Sequence, residues 1–160
     1  MEMITSSSNQ TVKQIKKLQT DKKERFEMEM FYVEGVNLVR QAIDNGWEVE
    51  KLFLVEELID SEFKRETIVK VEADKLIGIS KGIFASLANK NDIQGISALV
   101  KMKKAKEIFG ACTVLENIAL PGNLGSVLRA SAAFNVPNVV IIQPCVDFYN
   151  PDAIRASMGA

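Results

Sequence analysis

The last fifty residues carry the pattern that most restricts the fold. Cys112-Thr113-Val114-Leu115-Glu116 is an extended run, Leu120-Pro121-Gly122-Asn123-Leu124-Gly125 is a turn, Ser126 to Phe134 has helical periodicity, and Val139 to Ile142 is wholly apolar. A strand, a helix and a fully apolar strand in that order make a βαβ unit. Its strands run parallel and need cover on both faces. The chain is therefore expected to be α/β at this end.

A glycine-rich turn between a buried strand and a helix presents backbone N–H groups at a helix N-terminus, where an anion or a ribose can approach. This turn is neither GxGxxG nor GxxxxGK[ST], so a doubly wound nucleotide-binding enzyme lacks its signature here. If the helix starts near Asn123, then Gly122, Gly125 and Arg129 share one face, because spacings of four and seven return to nearly the same azimuth. Helical side chains lean toward the N-terminus. The Arg129 guanidinium is then expected to run back over two glycines whose missing side chains leave room, reaching the same mouth as Asn123. An exposed helix arginine with an N-capping asparagine fits the same residues, and both readings stay open at this point.

The first hundred residues alternate helical and extended patterns. Ser8 or Asn9 caps a helix with Val12, Ile15 and Leu18 on one face and Lys13, Lys16 and Lys17 on another; Lys22, Lys23 and Arg25 follow. This basic stripe is either a solvated face or a phosphate-contacting one. Phe31 to Val33 reads as a strand and Gly35 to Asn45 as an amphipathic helix ended by Gly46. Leu52 to Val55, Ile68 to Val71 and Ile96 to Val100 read as further strands, and Ser80 opens a helix carrying Ile83, Phe84 and Leu87. The basic segment after Val100 is expected to be a linker over 101–110, separating a lobe at 1–100 from one at 111–160.

Composition removes several chemistries. None of the 160 residues is a histidine, so a Ser-His-Asp triad, a Cys-His pair or an HExxH zinc site cannot be built from this chain alone. Cys112 and Cys145 each lie inside an apolar run without CxxC spacing; buried packing in a reducing, cytoplasmic protein is the expectation. No apolar run approaches the ~20 residues of a membrane span, and Met1 to Gln10 has no signal-peptide core. Lys and Arg total 20 against 21 Asp and Glu, so any nucleic-acid contact must be local.

Glu116-Asn117, Pro121-Gly122-Asn123-Leu124-Gly125-Ser126-Val127-Leu128-Arg129-Ala130-Ser131 and Phe134 together resemble the first motif of the SpoU (TrmH) RNA ribose 2′-O-methyltransferases of the SPOUT superfamily. Arg155-Ala156-Ser157-Met158-Gly159-Ala160 resembles the start of their second motif. Asn9 with its lysines, Phe31-Tyr32-Val33-Glu34-Gly35 and Gln94-Gly95-Ile96 are similar to the N-terminal substrate-binding domain that many members carry. The resemblance implies a small α/β RNA-binding domain, like that of ribosomal proteins that grip RNA kinks, followed by the first part of a knotted α/β methyltransferase domain. It also implies S-adenosylmethionine as cofactor, rRNA or tRNA as substrate, and a homodimer when full length, with no metal and no membrane. By position, Arg129 matches the catalytic arginine and Asn123 the asparagine that helps hold it and the substrate. The family has Thr-Ala and Phe-Gly where this chain has Ala130-Ser131 and Phe134-Asn135.

The chain ends at Gly159-Ala160, inside the second motif, so it is expected to be a C-terminally truncated member with most of the family's cofactor pocket beyond Ala160. Exposure of the strand Val139 to Ile142, with a rearranged dimer or poor solubility, is the expected consequence. A short RNA-binding adaptor that has lost catalysis is the alternative. Lys13, Lys17, Arg25 and Arg40 are the expected RNA contacts.

Overall fold

A computed structural model describes residues 1–88, 93–104 and 107–160. The chain forms two compact units, Met1–Met102 and Lys103–Ala160. Ala105 and Lys106 of the expected linker lie outside the described residues, and Lys101 closes a strand of the first unit.

The first unit opens with β1 (Glu2–Ile4) and the helices α1 (Gln10–Thr20) and α2 (Lys22–Met28). Asn9 starts α1 by accepting from the Thr11 N–H at 2.8 Å. Asp21 ends α1 through its own N–H to the Lys17 carbonyl, and its carboxylate caps α2 by accepting from the Lys23 and Glu24 N–H groups. One aspartate thereby makes the corner between two helices. Val12, Ile15 and Leu18 of α1 are fully buried, as the spacing predicts.

β2 (Met30–Glu34), α3 (Val36–Asp44) and β3 (Val49–Leu54) follow, then α4 (Glu62–Ile68), β4 (Leu76–Ile79), α5 (Lys81–Leu87) and β5 (Ile96–Lys101). The five strands form one sheet in the order β1-β4-β3-β5-β2. β4 is parallel to both β1 and β3, while β5 is antiparallel to β3 and β2. Tyr32, Phe53, Ile77, Ile79 and Leu99 from the sheet meet the α1 residues together with Phe84 and Leu87 of α5.

The run Ile68 to Val71, expected as a strand, instead finishes a helix. The Ser61 hydroxyl caps α4 by accepting from the Lys64 N–H, and Val69, the residue that ends the helix, is 80% exposed. The strand lies at Leu76–Ile79, where Gly78 breaks the apolar pattern and the Met3 side chain covers the gap.

The second unit contains β6 (Cys112–Glu116), α6 (Pro121–Ala133), β7 (Asn138–Ile142) and α7 (Pro151–Ser157). β6 and β7 pair in parallel with Val114 opposite Val140, which is the expected βαβ unit. Thr113 and Leu115 are half-buried; the Thr113 hydroxyl meets that of Ser131 on α6 at 3.4 Å. Cys112, Val114 and Glu116 on the opposite face are exposed. Along the apolar strand, 139–141 are half-buried and Ile142 is exposed.

Cys112 is exposed rather than packed in a core, because that sheet face has no cover among the described residues. Cys145 is half-buried: its sulfur accepts from the Ile118 N–H at 3.2 Å and lies 3.9 Å from the Leu115 carbonyl. With the Val146 N–H donating to the Ile118 carbonyl, these contacts join the segments that follow β6 and β7. No helix among the described residues is long and apolar enough to cross a membrane.

Candidate functional site

The loop after β6 turns at Asn117, which takes a left-handed conformation (φ +58°), and α6 begins at Pro121. Proline suits the first helical position because its fixed φ is helical and its missing N–H needs no partner. The stretch Leu120 to Gly125, expected as a turn, is therefore already the first turn of the helix. The cap position falls on Leu120, whose side chain gives no cap hydrogen bond. Asn123 sits two residues inside the helix and donates its backbone N–H to the Leu120 carbonyl, so it is not the N-cap.

Arg129 and Asn123 are both exposed on α6. Neither side chain has a hydrogen-bond or ion-pair partner among the described residues. Six residues apart on an α-helix, they project about a third of a turn from one another. The helix thus exposes a guanidinium and a carboxamide without joining them.

The two glycines differ. A Cβ on Gly122 would meet nothing within 4 Å, whereas a Cβ on Gly125 would lie 2.4 Å from the Ala156 Cβ and 2.7 Å from the Ala156 carbonyl carbon and the Ser157 nitrogen. Gly125 makes room for α7, not for the Arg129 guanidinium, which corrects the expected use of that position. Asn150 caps α7 by accepting from the Asp152 and Ala153 N–H groups, again with proline first in the helix. On the same helix the Arg155 guanidinium donates to Asp152 at 2.6 Å. Sequence reasoning missed this α6–α7 contact; the Asn150-Pro151 pair, a cap followed by a first-turn proline, was the available signal. Ahead of α7, Asp147 is buried and accepts from the Tyr149 N–H, and burial together with that carboxylate raises the Tyr149 pKa.

The expected RNA contacts separate. Lys13 and Lys17 lie exposed on α1. Lys17 donates to Glu24 at 2.7 Å, and that hydrogen bond and charge raise its pKa. Arg25 is 2% exposed, and its guanidinium donates to the carbonyls of Leu18 and Gln19 at the end of α1. It closes a helix terminus and is removed from the expected RNA-contacting set. Arg40 is held by Asp44 at 2.9 Å and Glu66 at 3.7 Å over the ring of Phe63, so it too is committed within the fold. Of the four, Lys13 alone has no partner among the described residues. Those residues include no group of three His, Cys, Asp or Glu placed to hold a metal ion.

Two families match this arrangement: the MRM3-like substrate binding domain over residues 9–98 and the SpoU rRNA Methylase family over residues 110–160. The 23S rRNA (guanosine(2553)-2′-O)-methyltransferase RlmP of Bacillus subtilis is 28% identical over 166 residues, covering all of this chain and 62% of the relative. The mitochondrial rRNA methyltransferase 3 of Xenopus laevis is 29% identical over 140 residues, covering 80% of this chain and 32% of the relative. The chain thus spans between about a third and three fifths of the length of these relatives. A crystal structure of an RNA 2′-O ribose methyltransferase superimposes with a TM-score of 0.82 at 27% identity, over 98% of this chain and 61% of that one. The SpoU methyltransferase AviRb from Streptomyces viridochromogenes, solved with AdoMet, shares the fold at 24% identity and a TM-score of 0.83, over 94% and 59%. With one match on each unit, and with Asn123 and Arg129 exposed on the helix between the two parallel strands, the chain belongs to the SpoU methyltransferase family and carries its substrate-binding domain ahead of the methylase segment.

Proposed function

We propose that the protein methylates a ribose 2′-hydroxyl of rRNA, with the first unit gripping the RNA and the second presenting the reacting groups. The observation that carries this reading is the pair Asn123 and Arg129 on α6, exposed and unpaired among the described residues, inside the segment matched by the SpoU family. The proposed domains are those expected from the sequence: RNA binding over 1–100, a linker over 101–110, and the methyltransferase segment over 111–160. A cytoplasmic homodimer completes the proposal.

A ribose hydroxyl must lose its proton as it attacks, and negative charge grows on its oxygen. A guanidinium is effectively always protonated, which makes it a poor proton acceptor and a good partner for phosphate and developing alkoxide. In this reading Arg129 holds the adjoining phosphate and stabilises the alkoxide, while Asn123 orients the sugar. S-adenosylmethionine, when bound, supplies the electrophilic methyl group. The described residues fit only part of such a donor's site: they give α6 and the carboxyl ends of two strands, while the sheet face bearing Val114 is bare.

Tritium transfer from labelled S-adenosylmethionine to rRNA tests the reading. The expected result is a product resistant to alkali at one internucleotide bond, because a methylated 2′-oxygen cannot attack its phosphate. Label on a base, or RNA binding without any transfer, would overturn it; the second result is the adaptor. Calorimetric titration with S-adenosylhomocysteine checks the donor site separately. Heat of binding to the folded protein is the expected result, since transfer requires the donor to be held.

A further inference from the structure

Gly125 and Arg129 are one helical turn apart and share a face of α6, and that face meets α7 at Ala156. Arg129 itself is exposed, so its side chain is open to a ligand while its Cα lies one turn further along α6 from the contact with Ala156. Arg155 is the residue just before Ala156 on α7. Following the backbone through Gly125 and Ala156, the Cα atoms of Arg129 and Arg155 are within roughly 15 Å, a gap that two extended arginines span. The Arg155 side chain is 38% exposed, and its ion pair is to Asp152, three residues earlier and 54% exposed. A pair so open to water contributes little and is readily exchanged for a stronger anion. A phosphodiester offers that anion, in the planar, two-oxygen form that a guanidinium fork matches.

We propose that Arg155 is a second phosphate-binding side chain of the RNA site, working beside Arg129 across the α6–α7 groove, with Asp152 as the partner it leaves when RNA binds. The inference rests on the ribose-methylation reading and adds a residue to it. Arg155 is a positioning residue: it grips the RNA backbone next to the reacting sugar and touches no reacting atom.

The test is the affinity of the whole chain for a fluorescein-labelled single-stranded RNA across a series of salt concentrations, with thermal melts confirming that each variant is folded. Arg155→Gln is expected to flatten the slope of log affinity against log salt by about 0.7, the value of one lost phosphate contact on a single strand. Arg155→Lys is expected to keep the slope while weakening binding. Asp152→Asn is expected to tighten binding roughly two- to fivefold, the worth of an exposed ion pair, and to have no such effect in the Arg155→Gln background. A wild-type slope in Arg155→Gln, or an equal gain from Asp152→Asn with and without Arg155, would overturn the proposal while leaving the functional reading intact. Failure of the wild-type chain to bind RNA would remove that reading, and this proposal with it.

Discussion

Arg129 stands exposed on α6 without a partner among the described residues, which suits an electrostatic role better than a basic one. If it orients phosphate and steadies an alkoxide, Arg129→Lys retains measurable turnover, since an ammonium also carries the charge, and gains little as the pH rises. A pH–rate profile of this variant checks the point; a steep recovery in alkali would favour proton abstraction by the side chain. Gly125 illustrates the opposite limit, where a residue matters through what it lacks. Gly125→Ala drives a methyl group to 2.4 Å from the Ala156 Cβ and 2.7 Å from α7 backbone, which cannot yield without moving the helix. An overpacking cost of about 2–3 kcal/mol is expected, read as a lowered urea midpoint with an unchanged slope. The motif was legible in the sequence. That Gly125 serves helix packing was not, because its partner at Ala156 lies thirty-one residues away, beyond any local periodicity.

At the scale of elements, local signals were dependable where the cap and the apolar period agreed. Asn9 with Val12, Ile15 and Leu18 marked α1, and the run 112–116 marked β6. They failed where hydrophobicity and capping conflicted. Ile68 to Val71 looks β-branched and apolar, but the Ser61 cap had already committed the chain to α4. Conversely, Leu76–Ile79 was hidden by Gly78, whose gap is filled by Met3 of the neighbouring strand β1, far away in sequence. Arg25 belongs with these cases: by sequence it extends a basic stripe, yet the corner made by Asp21 turns it inward against the carbonyls of Leu18 and Gln19. Arg25→Ala should therefore cost stability rather than RNA affinity. A loss of about 2–3 kcal/mol in chemical denaturation, with the salt dependence of RNA binding unaltered, is the expected pair of results.

For the whole molecule, the two units are built to different standards. The first has a buried core fed by α1, α5 and both faces of its sheet, whereas Leu124 and Ala153 are the fully buried apolar side chains of the second among the described residues. Amide hydrogen exchange is expected to show faster opening of β6 and β7 than of β3 and β5, and equal protection would contradict that ranking. Surface ion pairs add to the acid sensitivity. Hydrogen bonds from Lys70, Lys101 and Lys64 hold the carboxyls of Asp44, Glu48 and Asp60, respectively, below their ordinary values. A lowered folded-state value means the stabilisation is complete above the unfolded carboxylate range, near pH 4, and is lost as the pH falls through the lowered value. Urea midpoints should therefore drop below about pH 4, less steeply in Asp44→Asn and less steeply in high salt.

The strand order of the first unit also fixes when that unit can exist during synthesis. β2 is complete at Glu34, yet its sheet partner is β5, which ends at Lys101. β1, which leaves the ribosome ahead of the unit's other strands, pairs with β4 some seventy residues later. The helices α1 and α2 close on local contacts, while both outer strands wait for the chain to return. A ribosome paused anywhere between Glu34 and Ile96 therefore holds a nascent chain whose Phe31, Tyr32 and Val33 have no β5 to pair with, and that interval is where a chaperone would be needed most.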